Sequence, residues 1–302
     1  MTNRSAVVIG ASGFVGSYLL NAFRRDHSVV GTFATEPLPG LEPLDIAEAI
    51  AVRNFFDRHR PEVVLCPAAN PHVEGCEREP AATRKINIEG LANVVRETLR
   101  VGARIVYFSS EYVFDGDHGP YSEDNFTNPI NEYGRQKLAA ENLVRENLRD
   151  FLIVRISAPY GWERRGKNFV MQMLHRRQTG EPILVAKDQV ITPTYISDLA
   201  QAVHNLAGLG STGIFHVAGS ECMVRSDFAR LVTKAFDLPP ALVKPVLTST
   251  MNLSAPRPNS AGLITDKVAR VLGHHLSGPE KGLAAMRAEQ STARPWNEIV
   301  PA

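Results

Sequence analysis

Five short runs rich in β-branched residues, AVVIG, SVVGTF, EVVLCPAA, RIVYFSS and FLIVRIS, alternate with longer stretches whose apolar residues recur at helical spacing. Each run is apolar throughout, so both of its faces must be covered, and each is bounded by Gly, Pro or polar residues. The stretches between them, SGFVGSYLLNAFRR, DIAEAIAVRNFFDRH, ATRKINIEGLANVVRETLR and NEYGRQKLAAENLVREN, are long enough to cross back over a sheet. Such alternation specifies an α/β fold with a parallel sheet. Right-handed crossovers make that sheet doubly wound, a Rossmann-type arrangement that takes ligands beyond the carboxyl ends of its strands.

After Ser157 the regularity fades. The segment APYGWERRGKNFV, a short helix to about Gly180 and the loop AKDQVITPTY come first, then a helix (ISDLAQAVHNLAG), a strand (GIFHVAG) and another helix (SDFARLVTKAF). Pro239 to Pro258 reads as irregular structure packed around a ligand. The expected division is a dinucleotide-binding Rossmann domain over 1–158, with 191–217 adding to it, and a smaller C-terminal substrate-binding lobe over 159–302.

Composition removes several classes. With 302 residues, 44% hydrophobic and 22% charged, the chain has the make-up of a globular enzyme. A net charge of +1 gives no electrostatic case for nucleic acid or an anionic membrane as partner, and the apolar runs are strand-sized. MTNRSAVVIG enters a strand pattern at once, without a signal-peptide core. Cys66, Cys76 and Cys222 are odd in number and form no C-x-x-C, which predicts reduced thiols and a cytoplasmic protein. The nine histidines show no metal-ligand spacing, so no metal is expected.

Gly10, Gly13 and Gly16 stand where the first strand turns into the first helix, within GASGFVG. Without Cβ atoms the backbone turns tightly and a pyrophosphate can approach the free N–H groups of the helix start, with Ser12 as a further donor. Phe14, Val15 and Ile46 belong to the same cofactor-facing set. The second strand ends Gly31-Thr32-Phe33, without the acid that NAD-preferring enzymes carry for the ribose hydroxyls. The expectation is therefore NADP(H), with NAD(H) the other option, although no arginine sits there to hold a 2′-phosphate. Asp45 suits either the adenine amino group or a helix N-cap. Ala68 and Ala69 leave room for the adenosine ribose. Asn87 is either an organiser of the sheet edge or surface polarity on a helix.

Tyr133 and Lys137, in NEYGRQK, lie one helical turn apart and project from one face. A tyrosine with a pKa near 10 becomes a useful proton donor when a lysine ammonium close by stabilises its phenolate. Ser110, at the end of its strand, can hydrogen-bond an oxygen on which charge develops, with Ser109 the competing serine. The three predict a carbonyl reductase in which Tyr133 supplies the proton and Lys137 also holds the nicotinamide ribose.

The chain resembles the extended short-chain dehydrogenase/reductases, and within them the dTDP-4-dehydrorhamnose reductase family. The likeness is carried by VVIGASGFVGSYL, AANPHVEGCEREP, FSSEYVFDGDHGPYSEDNFTNPINEYGRQKLAAE, GKNFV, DQVITPT, GIFHVAG and APRPNSAGL. It implies Ser110, Tyr133 and Lys137 as catalytic residues, a nucleotide-sugar substrate in the C-terminal lobe and a homodimer. Glu111, Tyr112, Ala158, Asn168, Phe169 and Arg257 would then face the substrate. Three positions depart from the family: Ser110-Glu111 replaces Thr-Asp, Ala158 replaces a tryptophan, and Ile191 replaces a glycine. All three lie on the substrate side and point to a related but different substrate. Arg164, Arg165, Lys167, Arg176 and Arg177 form a basic group suited to a pyrophosphate or to a solvated face. The likeness extends to the regulatory β subunit of methionine adenosyltransferase, so a silent cofactor-binding subunit is the alternative. A nucleotide-sugar epimerase or dehydratase is less favoured, because Tyr112 stands where a dehydratase has its second acid.

Overall fold

The computed structural model describes residues 4–290. Strand β1 (Arg4–Val8) runs through the glycine turn into α1 (Phe14–Phe23), followed by β2 (His27–Phe33), β3 (Leu41–Pro43), α2 (Ala49–His59) and β4 (Val63–Cys66). Two short helices, α3 (Val73–Arg78) and α4 (Pro80–Arg84), lead through a π-helical turn (Lys85–Gly90) into α5 (Leu91–Val101). Then come β5 (Arg104–Ser110), α6 (Glu132–Asn147) and β6 (Phe151–Ile156). Beyond them lie β7 (Pro159–Tyr160), α7 (Phe169–Thr179), β8 (Ile183–Ala186), β9 (Val190–Ile191), β10 (Thr194–Tyr195), α8 (Ile196–Gly208) and β11 (Gly213–His216). The last elements are β12 (Met223–Val224), α9 (Arg225–Ala235), β13 (Val243–Val246), α10 (Asp266–Leu272) and α11 (Pro279–Glu289).

Seven of the strands form one parallel sheet in the order β11-β6-β5-β4-β1-β2-β3. The apolar runs are buried on both sides, as their composition demands. One face packs on α1 and α8, with Leu19, Leu20, Phe23, Leu199, Val203 and Leu206 interleaved. The other packs on α2, α5 and α6 through Phe55, Phe56, Val94, Val95, Ala140 and Val144. The expected α/β doubly wound parallel sheet is therefore present, and the strand order reverses between β1 and β4. That crevice is where such sheets take their ligands.

The chain leaves the sheet after β6 and returns to it through α8 and β11, whose Gly213–His216 pairs with Leu152–Arg155. A second apolar cluster, built on Tyr160, Met171, Val185, Phe228, Val232 and Leu283, holds the remaining C-terminal elements together. Pro239 to Pro258 is less irregular than its prolines suggest. Val243–Val246 forms β13, parallel to β8, and its Pro245 is tolerated because the strand lies in a two-stranded ribbon. The stretch expected as one helix across 82–100 is interrupted by the π-helical turn, and α2 starts at Ala49, several residues after Asp45.

Below the carboxyl edge of the sheet sits a buried ion pair. Glu141 of α6 accepts two hydrogen bonds from Arg155 of β6, at 2.8 and 2.7 Å. Arg155 also lies over the Phe114 ring and reaches the buried His216 of β11. The pair ties helix to strand at the point where α6 delivers its functional side chains.

Candidate active site

Helix α6 is started by Asn131, whose side-chain oxygen accepts from the Gly134 N–H at 2.8 Å while its amide donates to the Pro256 carbonyl at 2.8 Å. Gly134 lets the helix press on the 110–113 turn, for a Cβ there would stand 2.1 Å from the Tyr112 carbonyl. This close approach brings Tyr133 against the end of β5. Its ring meets Tyr112 edge-on at 5.6 Å, and its phenol is within hydrogen-bonding reach of Ser110. Lys137 is buried, donates to the Phe108 carbonyl at 2.8 Å and the Tyr107 hydroxyl at 3.3 Å, and lies 5.8 Å from the centre of the Tyr133 ring. Ser110, Tyr133 and Lys137 thus converge. Ser109 does not join them: its hydroxyl is buried without a hydrogen-bond partner.

The electrostatics differ from the simple expectation. Burial pushes the Tyr133 phenol up, and the Glu111 charge adds to it. Burial lowers Lys137 to about 8. Burial of the phenol outweighs any pull from the Lys137 ammonium, which hydrogen-bonds the Phe108 carbonyl and the Tyr107 hydroxyl. A phenol held above its ordinary range is protonated at neutral pH, as a proton donor must be before reaction. Glu111 is also buried and pushed up by desolvation, and it accepts from the Ser110 hydroxyl at 2.8 Å.

The glycine turn fits a dinucleotide. Gly10 has φ +90°, and a Cβ at Gly16 would stand 2.2 Å from the Gly10 carbonyl. The Ser12 N–H donates to the Thr32 carbonyl at 3.4 Å and the Gly13 N–H to the Gly10 carbonyl at 3.0 Å, while the start of α1 at Gly13 has no side-chain cap, so the backbone N–H groups of the first turn, from Phe14 and Val15 on, are left open. Thr32 is buried and accepts from the Gly10 N–H at 3.1 Å, which locks the turn to β2. Ala68 and Ala69 follow β4 on the other side of the crevice, where Ala68 donates to the Ile9 carbonyl at 3.1 Å. Asp45 does not cap α2, whose N-cap is Glu48; its carboxylate accepts from the Ala47 N–H at 2.9 Å and is exposed. Ile46 packs beneath Gly90, and its carbonyl accepts from Asn93 at 2.9 Å.

Asn87 is 3% exposed, which excludes the surface reading. The π-helical turn adds a residue and swings its side chain inward. There it accepts from the Asn70 N–H at 2.7 Å and donates to the Gln136 side chain at 2.8 Å. It thereby joins the loop after β4 to α6.

On the opposite wall, Asn168 caps α7 by accepting from the Met171 N–H at 3.2 Å and donates to the Gly161 carbonyl at 2.8 Å. Phe169 begins α7 and carries the Arg225 guanidinium over its ring at 5.5 Å. Ala158 holds a φ of +39° between β6 and β7. Arg257 is paired with Glu74 at 2.6 Å and lies 6.0 Å from the Tyr112 ring. Burial works against the Glu74 charge, but hydrogen bonds from Ser254 and Arg257 hold its carboxyl at about 2. The basic group of the 164–177 region does not converge: Arg164 and Arg165 both reach Glu36, whereas Arg176 pairs with Glu181. Sequence reasoning missed Glu74 and Arg225. Arg225 faces Glu111 and Tyr112 electrostatically and has a buried Nε without a hydrogen-bond partner. No local spacing marks either residue.

The sequence shows no metal-ligand spacing, yet the fold gathers Asp26, His27 and His204 at the start of β2, away from the carboxyl ends of the strands. Both imidazoles sit at hydrogen-bond distance from the same carboxylate oxygen, 2.6 and 2.9 Å.

A profile of the RmlD substrate binding domain matches residues 4–291. A dTDP-4-keto-6-deoxy-D-glucose reductase of Streptomyces niveus is 33% identical over 291 residues, 95% of this chain and 94% of that protein. The methionine adenosyltransferase 2 subunit beta of Bos taurus is 30% identical over 269 residues, 86% of this chain and 80% of that protein. The crystal structure of a dTDP-4-dehydrorhamnose reductase from Bacillus anthracis in complex with NADP superposes with a TM-score of 0.87 at 29% identity, covering 96% of this chain and all (100%) of that one.

Proposed function

The chain belongs to the RmlD substrate binding domain family, and from that membership we propose that it reduces the 4-keto group of a 4-keto-6-deoxy nucleotide sugar with NADP(H), NAD(H) being the other option. The observation that carries this reading is the convergence of Ser110, Tyr133 and Lys137 beside the open glycine turn. The nicotinamide cofactor supplies the hydride when bound. The chain does the rest. Ser110 and Tyr133 hydrogen-bond the ketone oxygen, and as negative charge grows there the phenolic O–H bond breaks and the proton passes to that oxygen. Lys137 keeps a positive charge under the tyrosine ring and offers hydrogen bonds to ribose hydroxyls. Gly10, Ser12, Gly13, Phe14, Val15 and Gly16 cradle the pyrophosphate, while Thr32, Asp45, Ile46, Ala68, Ala69 and Asn87 shape the adenosine side. Glu111, Tyr112, Ala158, Asn168, Phe169 and Arg257 line the sugar-nucleotide side.

In this reading 1–158 and 191–217 bind the cofactor and the rest of 159–302 receives the substrate. A homodimer through helices of 81–100 and 131–147, with Leu99 58% exposed on α5, and a cytosolic setting belong to the same reading. No helix among the described residues is long and apolar enough to cross a membrane.

The test is cofactor oxidation with a panel of dTDP-4-keto-6-deoxy sugars. Tyr133→Phe is expected to lower kcat by about 10² to 10⁴ while dinucleotide binding persists. Full turnover in that variant would overturn the tyrosine assignment. The similarity to a methionine adenosyltransferase subunit favours one second reading, a cofactor-binding subunit without turnover. A stoichiometric partner recovered by pull-down, with every ketone in the panel left unreduced, would select it.

A further inference from the structure

We propose that Arg164 and Arg165 form the subsite for the 2′-phosphate of NADP(H), and that Glu36 occupies both arginines until the phosphate takes its place. The proposal rests on the nicotinamide-dependent reading above and assigns the groups that choose between the two dinucleotides.

The adenosine ribose of a dinucleotide lies beyond the carboxyl end of β2. In this chain β2 ends at Phe33 and the next three residues are Ala34, Thr35 and Glu36, so the strand itself offers no cation. The cations come from the far side of the crevice. The segment after β7 lies over the start of α1: Tyr18 donates to the Trp162 carbonyl at 2.9 Å, and a Cβ on Gly161 would stand 3.7 Å from the Phe14 ring. From this anchored position two successive arginines reach the loop after β2. Arg165 contacts both carboxylate oxygens of Glu36, through Nε at 3.2 Å and a terminal nitrogen at 3.0 Å, and Arg164 bonds the same carboxylate.

Three charges therefore meet at this edge, two positive and one negative, about a third to a half exposed on each side chain (34%, 36% and 44%). The excess is positive. Desolvation opposes ionisation of Glu36, but the two arginines outweigh it and hold the carboxyl below its usual range. A carboxylate already engaged by two guanidinium groups is a poor acceptor for a ribose 2′-hydroxyl, which removes the usual basis for preferring NAD. A phosphate monoester carries more charge and more acceptor oxygens than one carboxylate, and planar guanidinium groups match it in bidentate fashion. A 2′-phosphate arriving here either takes the arginines from Glu36 or shares them. Because they come from residues 164 and 165, more than a hundred positions after β2, no motif at the strand end records them.

Binding by the full chain is measured by titration calorimetry with NADPH, NADH, 2′,5′-ADP and 5′-ADP. The variant R164A/R165A is expected to lose about tenfold or more in affinity for NADPH and 2′,5′-ADP, and to keep NADH and 5′-ADP within about twofold. Retained NADH binding shows that the variant is folded. Glu36→Ala removes the competing carboxylate and is expected to keep or strengthen the preference for NADPH. Equal losses for NADPH and NADH in the double variant, no loss for either, or loss of NADPH preference in Glu36→Ala would each overturn the assignment. A wild-type chain that binds neither dinucleotide would instead remove the cofactor reading, and this proposal with it.

Discussion

Ser110 has one hydroxyl proton and two claimants. It donates to Glu111 at 2.8 Å, yet a reductase needs that proton turned towards the ketone oxygen. Burial, the largest influence on Glu111, pushes its carboxyl up and favours the protonated form. A protonated Glu111 donates to Ser110 and frees the serine proton for the substrate. Glu111→Gln carries a permanent donor at the same reach and should keep kcat/KM within about tenfold of wild type while removing one limb of its pH profile. A loss of about 10² or more with the pH profile unchanged would show that the carboxylate itself is required. Ser110, Tyr133 and Lys137 were legible because their spacing along one strand and one helix is local. The pairing of Arg257 with Glu74 was not, for the two stand 183 positions apart. The tyrosine's raised pKa was equally hidden: spacing shows that a lysine is near but not how deeply the phenol is buried or that Glu111 lies close to it.

At the scale of elements, periodicity locates α1, α6, α8 and α9 to within a few residues, because each must bury one apolar stripe on the sheet or the C-terminal cluster. It fails where a polar side chain is turned inward. The π-helical turn at Lys85–Gly90 gives Asn87 a buried position that an unbroken α-helix would assign differently. The Glu141–Arg155 pair links α6 to β6 with side chains 0% and 3% exposed. Glu141→Ala leaves a buried guanidinium without its partner and should cost about 3–5 kcal/mol in urea unfolding. Replacing both residues with apolar ones of similar volume should recover most of that loss. A cost below about 1 kcal/mol for the single change would mean that Arg155 finds another acceptor.

Over the whole molecule, pH acts through groups the fold has buried. Burial, and then the Arg155 charge, lowers His216 to about 3, well under the value near 6.5 of an exposed histidine. Its folded pKa is depressed, so its contribution to stability is fully present above about pH 6.5 and is lost as pH falls towards 3. Glu111, pushed up by burial, acts with the opposite sign: its contribution is lost as pH rises through its folded value. Comparing wild type with His216→Asn isolates the histidine. The variant should flatten the fall in unfolding free energy between about pH 6 and 4.5 by up to about 1.4 kcal/mol per pH unit. Identical slopes would show that the imidazole is protonated without opening the fold. The pairing of β11 with β6 bears on how the protein is made. On the ribosome, residues through β6 emerge well before Gly213–His216. Until that strand arrives, the growing chain carries an apolar strand with a bare row of N–H and C=O groups, a template for pairing with any neighbouring nascent chain.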